Sequence, residues 1–200
     1  ILQLMVLLKP QNLLNNMKIK NKNIPIIHTS GVLEMDILKD HALYGVFYPL
    51  QSFNKKIFTN FRDVPICIES NNKKLEDSLY SIADKISSSV HRINSDQRSK
   101  IHLSAVFACN FTNHMMTISK KLLEENNIEF ELLHPLISHT FYKAIKYSPE
   151  ESQTGPAIRN DQKTIDKHLQ MINKNPEIKN IYSRITDHIT LSLSKNKWKK

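Results

Sequence analysis

Val64-Pro-Ile-Cys-Ile-Glu69, the run Leu75–Ser87 and the run Val90–Ile93 follow one another closely, and their reading decides the fold. The first is apolar and rich in β-branched residues, and Pro65 suits a strand start or edge. The second sets Leu75, Leu79, Ile82, Ala83 and Ile86 at helical spacing. The third is a short strand-like run. Strand, helix and strand in that order predict an α/β layer with a parallel sheet. Upstream, Leu43-Tyr-Gly-Val-Phe-Tyr48 reads as another strand, stopped by Pro49. Ile24-Pro-Ile-Ile-His28 reads as a strand that ends in the turn Thr29-Ser30-Gly31. Leu2–Leu8 reads as a buried strand and Leu13–Ile19 as a short helix.

Downstream of Ile93 the pattern turns wholly helical. Ser95-Asp96 is an N-cap with an acidic first turn, opening a helix toward Glu125. Leu132–Tyr147 is a second helix. Ser148-Pro-Glu-Glu151 is a capping box with Pro in the first turn, Asn160 is placed to cap a helix over 161–172, and Asn175-Pro176 opens a last helix toward Leu193. The expected organisation is therefore an α/β domain over 1–94 followed by an all-α domain over 95–200.

The chain has 200 residues, 40% hydrophobic and 24% charged, which suits a globular protein with a real core. No apolar run reaches the length of a membrane span, and Ile1–Leu8 lacks the features of a signal peptide. Cys67 and Cys109 are the only cysteines, with no C-x-x-C and no H-E-x-x-H. A disulfide scaffold and a metal site are not expected, and a reducing cytoplasm is. The net charge of +9 comes from scattered lysines without a basic stripe, and this argues against nucleic acid as the partner. The basic tail 195–200 reads as a solvated end. Three glycines cannot build a G-x-G-x-x-G loop, and the first residue is Ile, so a fragment lacking an earlier segment is expected.

Four motifs carry candidate chemistry. His28-Thr-Ser-Gly31 follows a strand, and in doubly wound sheets ligands lie beyond the carboxyl ends of strands. Gly31 would let backbone approach a ligand, and the bland alternative is a capped strand-to-helix turn. Gly45-Val-Phe-Tyr-Pro-Leu-Gln51 leaves Tyr48 and Gln51 near the same edge, or else a core aromatic and a surface amide. The third is a helix holding His102, Asn110, Asn113 and His114. Leu103–Phe111 is apolar nearly all round, which predicts a buried helix. At about 100° per residue the four polar side chains share one sector, satisfied either by a ligand or by protein partners. Gln153-Thr-Gly-Pro-Ala-Ile-Arg-Asn-Asp161 sets Arg159 beside a helix start, which suits an anion or is simply an interhelical loop. No catalytic triad is legible.

In this order the motifs resemble a bacterial family with a Rossmann-like NADP-binding domain and a helical domain of unknown function. Its members are commonly labelled NADP oxidoreductases. They are similar to deazaflavin-dependent NADP reductases and pyrroline-5-carboxylate reductases in the 6-phosphogluconate dehydrogenase-like group. The residues carrying the resemblance are His28–Gly31, Gly45–Gln51, Gln97-Arg98, His102 with Ala105–His114, and Gln153–Arg159. The family's opening strand and Gly-rich dinucleotide loop have no counterpart, so the phosphate loop is not carried over.

The resemblance implies NADP-dependent reduction of a small polar or anionic substrate. His28, Thr29, Ser30 and Gly31 would line the cofactor. His102 would donate a proton, with Asn113 and His114 beside it in the catalytic group. Tyr48, Gln51, Asn110 and Arg159 would bind substrate. It also implies a homodimer through the helical domain. The alternative class is a nucleotide-sensing or scaffold dimer without turnover.

Overall fold

The computed structural model describes residues 3–4, 24–54 and 56–194. The expected helix over 13–19, residues 2 and 5–8 of the first expected strand and the basic tail lie outside these. Five strands form one sheet in sequential order: β1 Gln3–Leu4, β2 Ile26–His28, β3 Tyr44–Pro49, β4 Ile66–Ser70 and β5 Val90–Arg92. The helices are α1 Lys73–Ile86, α2 Ser95–Ala105, α3 Thr112–Glu124, α4 His134–Lys146, α5 Pro149–Ser152, α6 Gln162–Met171 and α7 Pro176–Ser194. A π-helical segment, Val106–Phe111, joins α2 to α3. The fold class is α/β followed by all-α, as the sequence pattern predicts.

The sheet departs from the all-parallel expectation in one place. β1, β2 and β3 run parallel, and so do β4 and β5, but β3 and β4 pair antiparallel, with Pro49 opposite Ile66 and Gly45 opposite Ser70. A parallel return needs a crossover, usually a helix. Between Pro49 and Ile66 the described chain forms only the short 3-10 turn Phe61–Asp63, so it comes back along the neighbouring strand. Between β4 and β5, α1 supplies the crossover. Asn72 caps it by accepting from the Leu75 N–H at 3.1 Å.

Strand alternation divides the core in two. One face packs Ile27, Phe47, Ile66 and Ile68 against Leu75, Leu79 and Ala83 of α1. There a Cβ on Gly45 would run into the Glu69 carbonyl of β4, so glycine lets the two strands pair closely beneath Leu79 of α1. The opposite face carries Val46, Tyr48 and Cys67, packed with Met35, Leu50 and Ile93. α2 lies over this second face through Arg98 and His102. Its cap is Asn94, one residue before the expected Ser95, in a full capping box with Gln97. Ser95 is instead buried, its hydroxyl donating to Glu69 Oε2 at 2.8 Å and accepting from the Met35 N–H at 2.9 Å.

Those contacts explain why the compact units are 1–113 and 114–200 rather than 1–94 and 95–200. α2 is tied to the sheet, so it belongs with it. In the second unit Asp161, not Asn160, caps α6, accepting from the Thr164 N–H at 3.1 Å. Asn160 takes a left-handed φ of 52°, which puts the capping geometry one residue later.

Candidate functional site

β2 and β3 are parallel, so their carboxyl ends share one edge, and the loops 29–34 and 50–51 leave from it. His28, the last residue of β2, is wholly buried. Its Nδ1 accepts from the Ser30 N–H at 3.2 Å, which leaves the proton on Nε2, and that buried Nε2 has no partner. Burial, aided by the nearby Arg98 charge, lowers the His28 pKa from 6.5 to about 4, so the ring is neutral near pH 7. The Ser30 hydroxyl accepts from the N–H groups of Val32 and Leu33, at 3.3 and 3.2 Å, and so closes the turn.

Gly31 is where the loop meets α2 and β3. A Cβ there would fall 2.6 Å from His102 Nδ1 and 2.9 Å from Tyr48 Cζ. Glycine is needed for room, but the groups filling that room are the protein's own rings, where the sequence suggested a ligand. Tyr48 and His102 are themselves joined, hydroxyl oxygen to Nδ1, at 3.1 Å. Burial is the main cause that raises the Tyr48 pKa, which keeps the hydroxyl protonated. The protonated hydroxyl either donates to Nδ1 or accepts from Nδ1–H, according to the His102 tautomer.

Arg98 holds this arrangement together. It is 1% exposed and lies one turn before His102. Its Nη1 pairs with Glu69 Oε2 at 2.6 Å and its Nε donates to the Ser30 carbonyl at 3.1 Å. Nη2 donates to the Leu33 carbonyl and, at 3.0 Å, to the Ser95 hydroxyl. One guanidinium thus links β4, α2 and the loop after β2. The planar five-donor fork suits that task, which a lysine could not repeat. The sequence showed Gln97-Arg98 as part of a resemblance but offered no site role for Arg98. The only local signal was an arginine at a position facing the sheet.

The other predicted residues lie elsewhere. Gln51 is exposed, and its side-chain oxygen accepts from the Ser52 N–H at 2.7 Å. The helix expected to be buried is not: Leu103, Phe107 and Phe111 face outward, Phe107 with 63% of its surface exposed. Nor do His102, Asn110, Asn113 and His114 form a buried polar sector. His102 is half-buried, while Asn110, Asn113 and His114 are exposed. The π segment Val106–Phe111 advances by less than α-helical rotation at each residue, so angles read for an unbroken α-helix do not hold across it. The Thr112 hydroxyl donates to the Phe107 carbonyl, five residues back, at 3.2 Å. Arg159 is exposed on the second unit and helps lower the pKa of Asp161, whose main causes are the bonds from Thr164. Among the described residues no helix is long and apolar enough to cross a membrane, and no cluster of His, Cys, Asp and Glu could hold a metal ion.

Residues 64–189 match the domain of unknown function DUF2520. The chain is similar to the crystal structure of "putative NADP oxidoreductase BF3122" from Bacteroides fragilis, at 34% identity and a TM-score of 0.88. The match covers 94% of this chain and 74% of that one. It also shares its fold with protein TM1727 from Thermotoga maritima, at 21% identity and a TM-score of 0.70, over 96% of this chain and 79% of that one. No curated protein matches.

Proposed function

Because this chain belongs to the DUF2520 family, we propose that it works as an NADP-dependent oxidoreductase on a small polar or anionic substrate. The observation that carries the reading is the meeting of Gly31, Tyr48 and His102 at the carboxyl edge of parallel strands. The name of the Bacteroides fragilis relative supports it.

The residues present fit one end of such a cofactor. An unpartnered His28 N–H, the Thr29 and Ser30 hydroxyls and a Tyr–His pair are the kinds of group that hold a carboxamide. These residues would hold the nicotinamide end of the cofactor. When bound, NADP supplies the hydride. The protein's own part is positioning and proton handling. With the Tyr48 O–H donating to Nδ1, His102 would pass its Nε2 proton to a reduced substrate as the Tyr48 proton moves to Nδ1. Within the first unit, Gln51, Asn110 and Asn113 are candidates to orient the substrate.

The test is saturation-transfer NMR of NADPH on the full chain, with NADPH oxidation on a panel of keto acids and imines. Saturation is expected on the nicotinamide protons and should fall in Gly31→Ala. Tyr48→Phe and His102→Gln should keep that contact while turnover falls about 10²- to 10⁴-fold. No nicotinamide contact, or one indifferent to Gly31→Ala, refutes the site. Nicotinamide contact without turnover on any substrate favours a sensor over an enzyme.

A further inference from the structure

β3 ends and β4 begins at the edge that carries the Tyr48–His102 pair, because the two strands run antiparallel with Pro49 opposite Ile66. The connection between them, residues 50–65, therefore leaves from that edge and returns to it. Its described residues form one 3-10 turn, Phe61–Asp63, and no other helix or strand. Connections this long are mostly active-site lids and binding loops. Its composition is as unusual as its length. Phe53, Ile57, Phe58 and Phe61 all stand exposed, Phe58 with 91% of its surface in water.

Both ends of the connection are fastened. Leu50 packs with Tyr48 and Cys67, and its N–H donates to the Pro65 carbonyl at 2.8 Å. On the returning arm Val64 is buried, and the Ser88 N–H donates to the Arg62 carbonyl at 3.0 Å. Asn60 accepts there from the Arg62 N–H at 3.2 Å. Phe53 and Phe61 stack across the base, their centroids 5.6 Å apart. Beyond that stack the described hydrogen bonds stay inside the tip. The Ile57 N–H donates to the Asn54 carbonyl at 3.1 Å, and the Lys56 N–H to Asn54 Oδ1 at 2.9 Å. A fixed base and a self-contained tip are the build of a flap that pivots as one piece.

We propose that this tip closes over the Gly31–Tyr48–His102 site, with Ile57 and Phe58 as the apolar cover of a bound nicotinamide ring. The inference rests on the oxidoreductase reading above. The groups already placed at the edge are polar: the His28 ring, the Thr29 and Ser30 hydroxyls and the Tyr48–His102 pair. A nicotinamide ring also needs an apolar surface, and its chemistry needs water kept out. Ile57 and Phe58 are apolar, uncovered and carried by a connection rooted at that edge. The reach suffices. Four residues of one arm extend about 13 Å, whereas β2 and its turn lie one strand beyond β3, about 4.8 Å away. The exposed Lys56 in the tip suits an anionic cofactor. A protein partner or a lipid surface would also take up Phe58, but neither would complete the polar half-site beside which the connection is anchored.

Phe58 provides the clean perturbation, because a side chain so exposed adds little to the fold. The full chain, Phe58→Ala and Phe58→Leu are titrated with NADPH, whose nicotinamide emission brightens when water is excluded from it. Phe58→Ala should weaken binding about 10-fold or more and dim that emission, while the melting temperature of the free chain stays unchanged. Phe58→Leu should restore most of both. Hydrogen exchange of the parent chain, read by mass spectrometry over peptides spanning 51–63, should slow about 10-fold or more at saturating NADPH. This second measurement decides if Phe58→Ala fails to fold. Nicotinamide contact by saturation transfer with unchanged exchange in these peptides overturns the closure and leaves the oxidoreductase reading standing. So does Phe58→Ala binding NADPH as the parent chain does. No nicotinamide contact at all overturns both. Exchange slowed by phosphatidylglycerol vesicles and not by NADPH also overturns the closure, and makes the tip a membrane-docking surface.

Discussion

Acidification should weaken the sheet unit through His28. In the folded chain this imidazole titrates at about 4 against an ordinary 6.5, because charging it means placing a cation in a buried site near Arg98. Between those two values the unfolded chain binds more protons than the folded one, so stability falls as pH falls from 6.5 to 4. Above 6.5 the ring is neutral in both states and contributes no pH dependence. Below 4 it is charged in both, and the loss is complete. The difference of 2.5 units corresponds to about 3 kcal/mol at 1.36 kcal/mol per unit. That is a large share of the stability of a small domain. His28→Leu removes the titration. At pH 7 it gives up the acceptor for the Ser30 N–H, at a cost of about 1 kcal/mol, and relieves the unpartnered Nε2–H.

The assay is hydrogen exchange of the β2 and β3 amides at pH 7, 5.5 and 4, corrected for intrinsic rates. It reports on this unit whether or not the helical unit unfolds separately. The parent chain should lose about 3 kcal/mol more protection than His28→Leu between pH 6.5 and 4. Parallel losses, or an NMR titration of the His28 ring near 6.5, would refute the reasoning.

Gly31→Ala should push the His102 and Tyr48 rings apart and destabilise by about 1–3 kcal/mol, read from thermal melting and from the lost hydrogen bond in a crystal structure. An unchanged melting point with the bond intact would show that the loop yields freely. Arg98→Met should cost about 3–5 kcal/mol, because it leaves Glu69 without its charge partner and frees the Ser30 and Leu33 carbonyls. Arg98→Met with Glu69→Met should recover part of that in urea denaturation. A double variant as unstable as the single one would locate the loss in the loop carbonyls rather than in the charge.

The sequence by itself determined the element order. The strands β2, β3 and β4 fall on runs of β-branched and aromatic residues, and most helices begin at a cap that is legible in the chain. Such signals are local, because a cap or a period-2 run acts within a few residues. The His28–Gly31 turn, Tyr48 and His102 were singled out by the same local signals, at a strand end, within a strand and on a helix. Tertiary structure alone decided the antiparallel β3–β4 pair, which depends on how an irregular connection returns. It alone made Arg98 the centre of a network between residues 30 and 98, since no local pattern marks partners so far apart in the chain. The apolar helix after Ser95 misled because composition states what a side chain prefers, not what covers it. Leu103, Phe107 and Phe111 remain exposed where a single copy brings nothing over them. The π segment then changed the angles of Asn110 and Asn113 relative to His102, because spacing gives a sector only for unbroken α-helical rotation and six residues did not keep it.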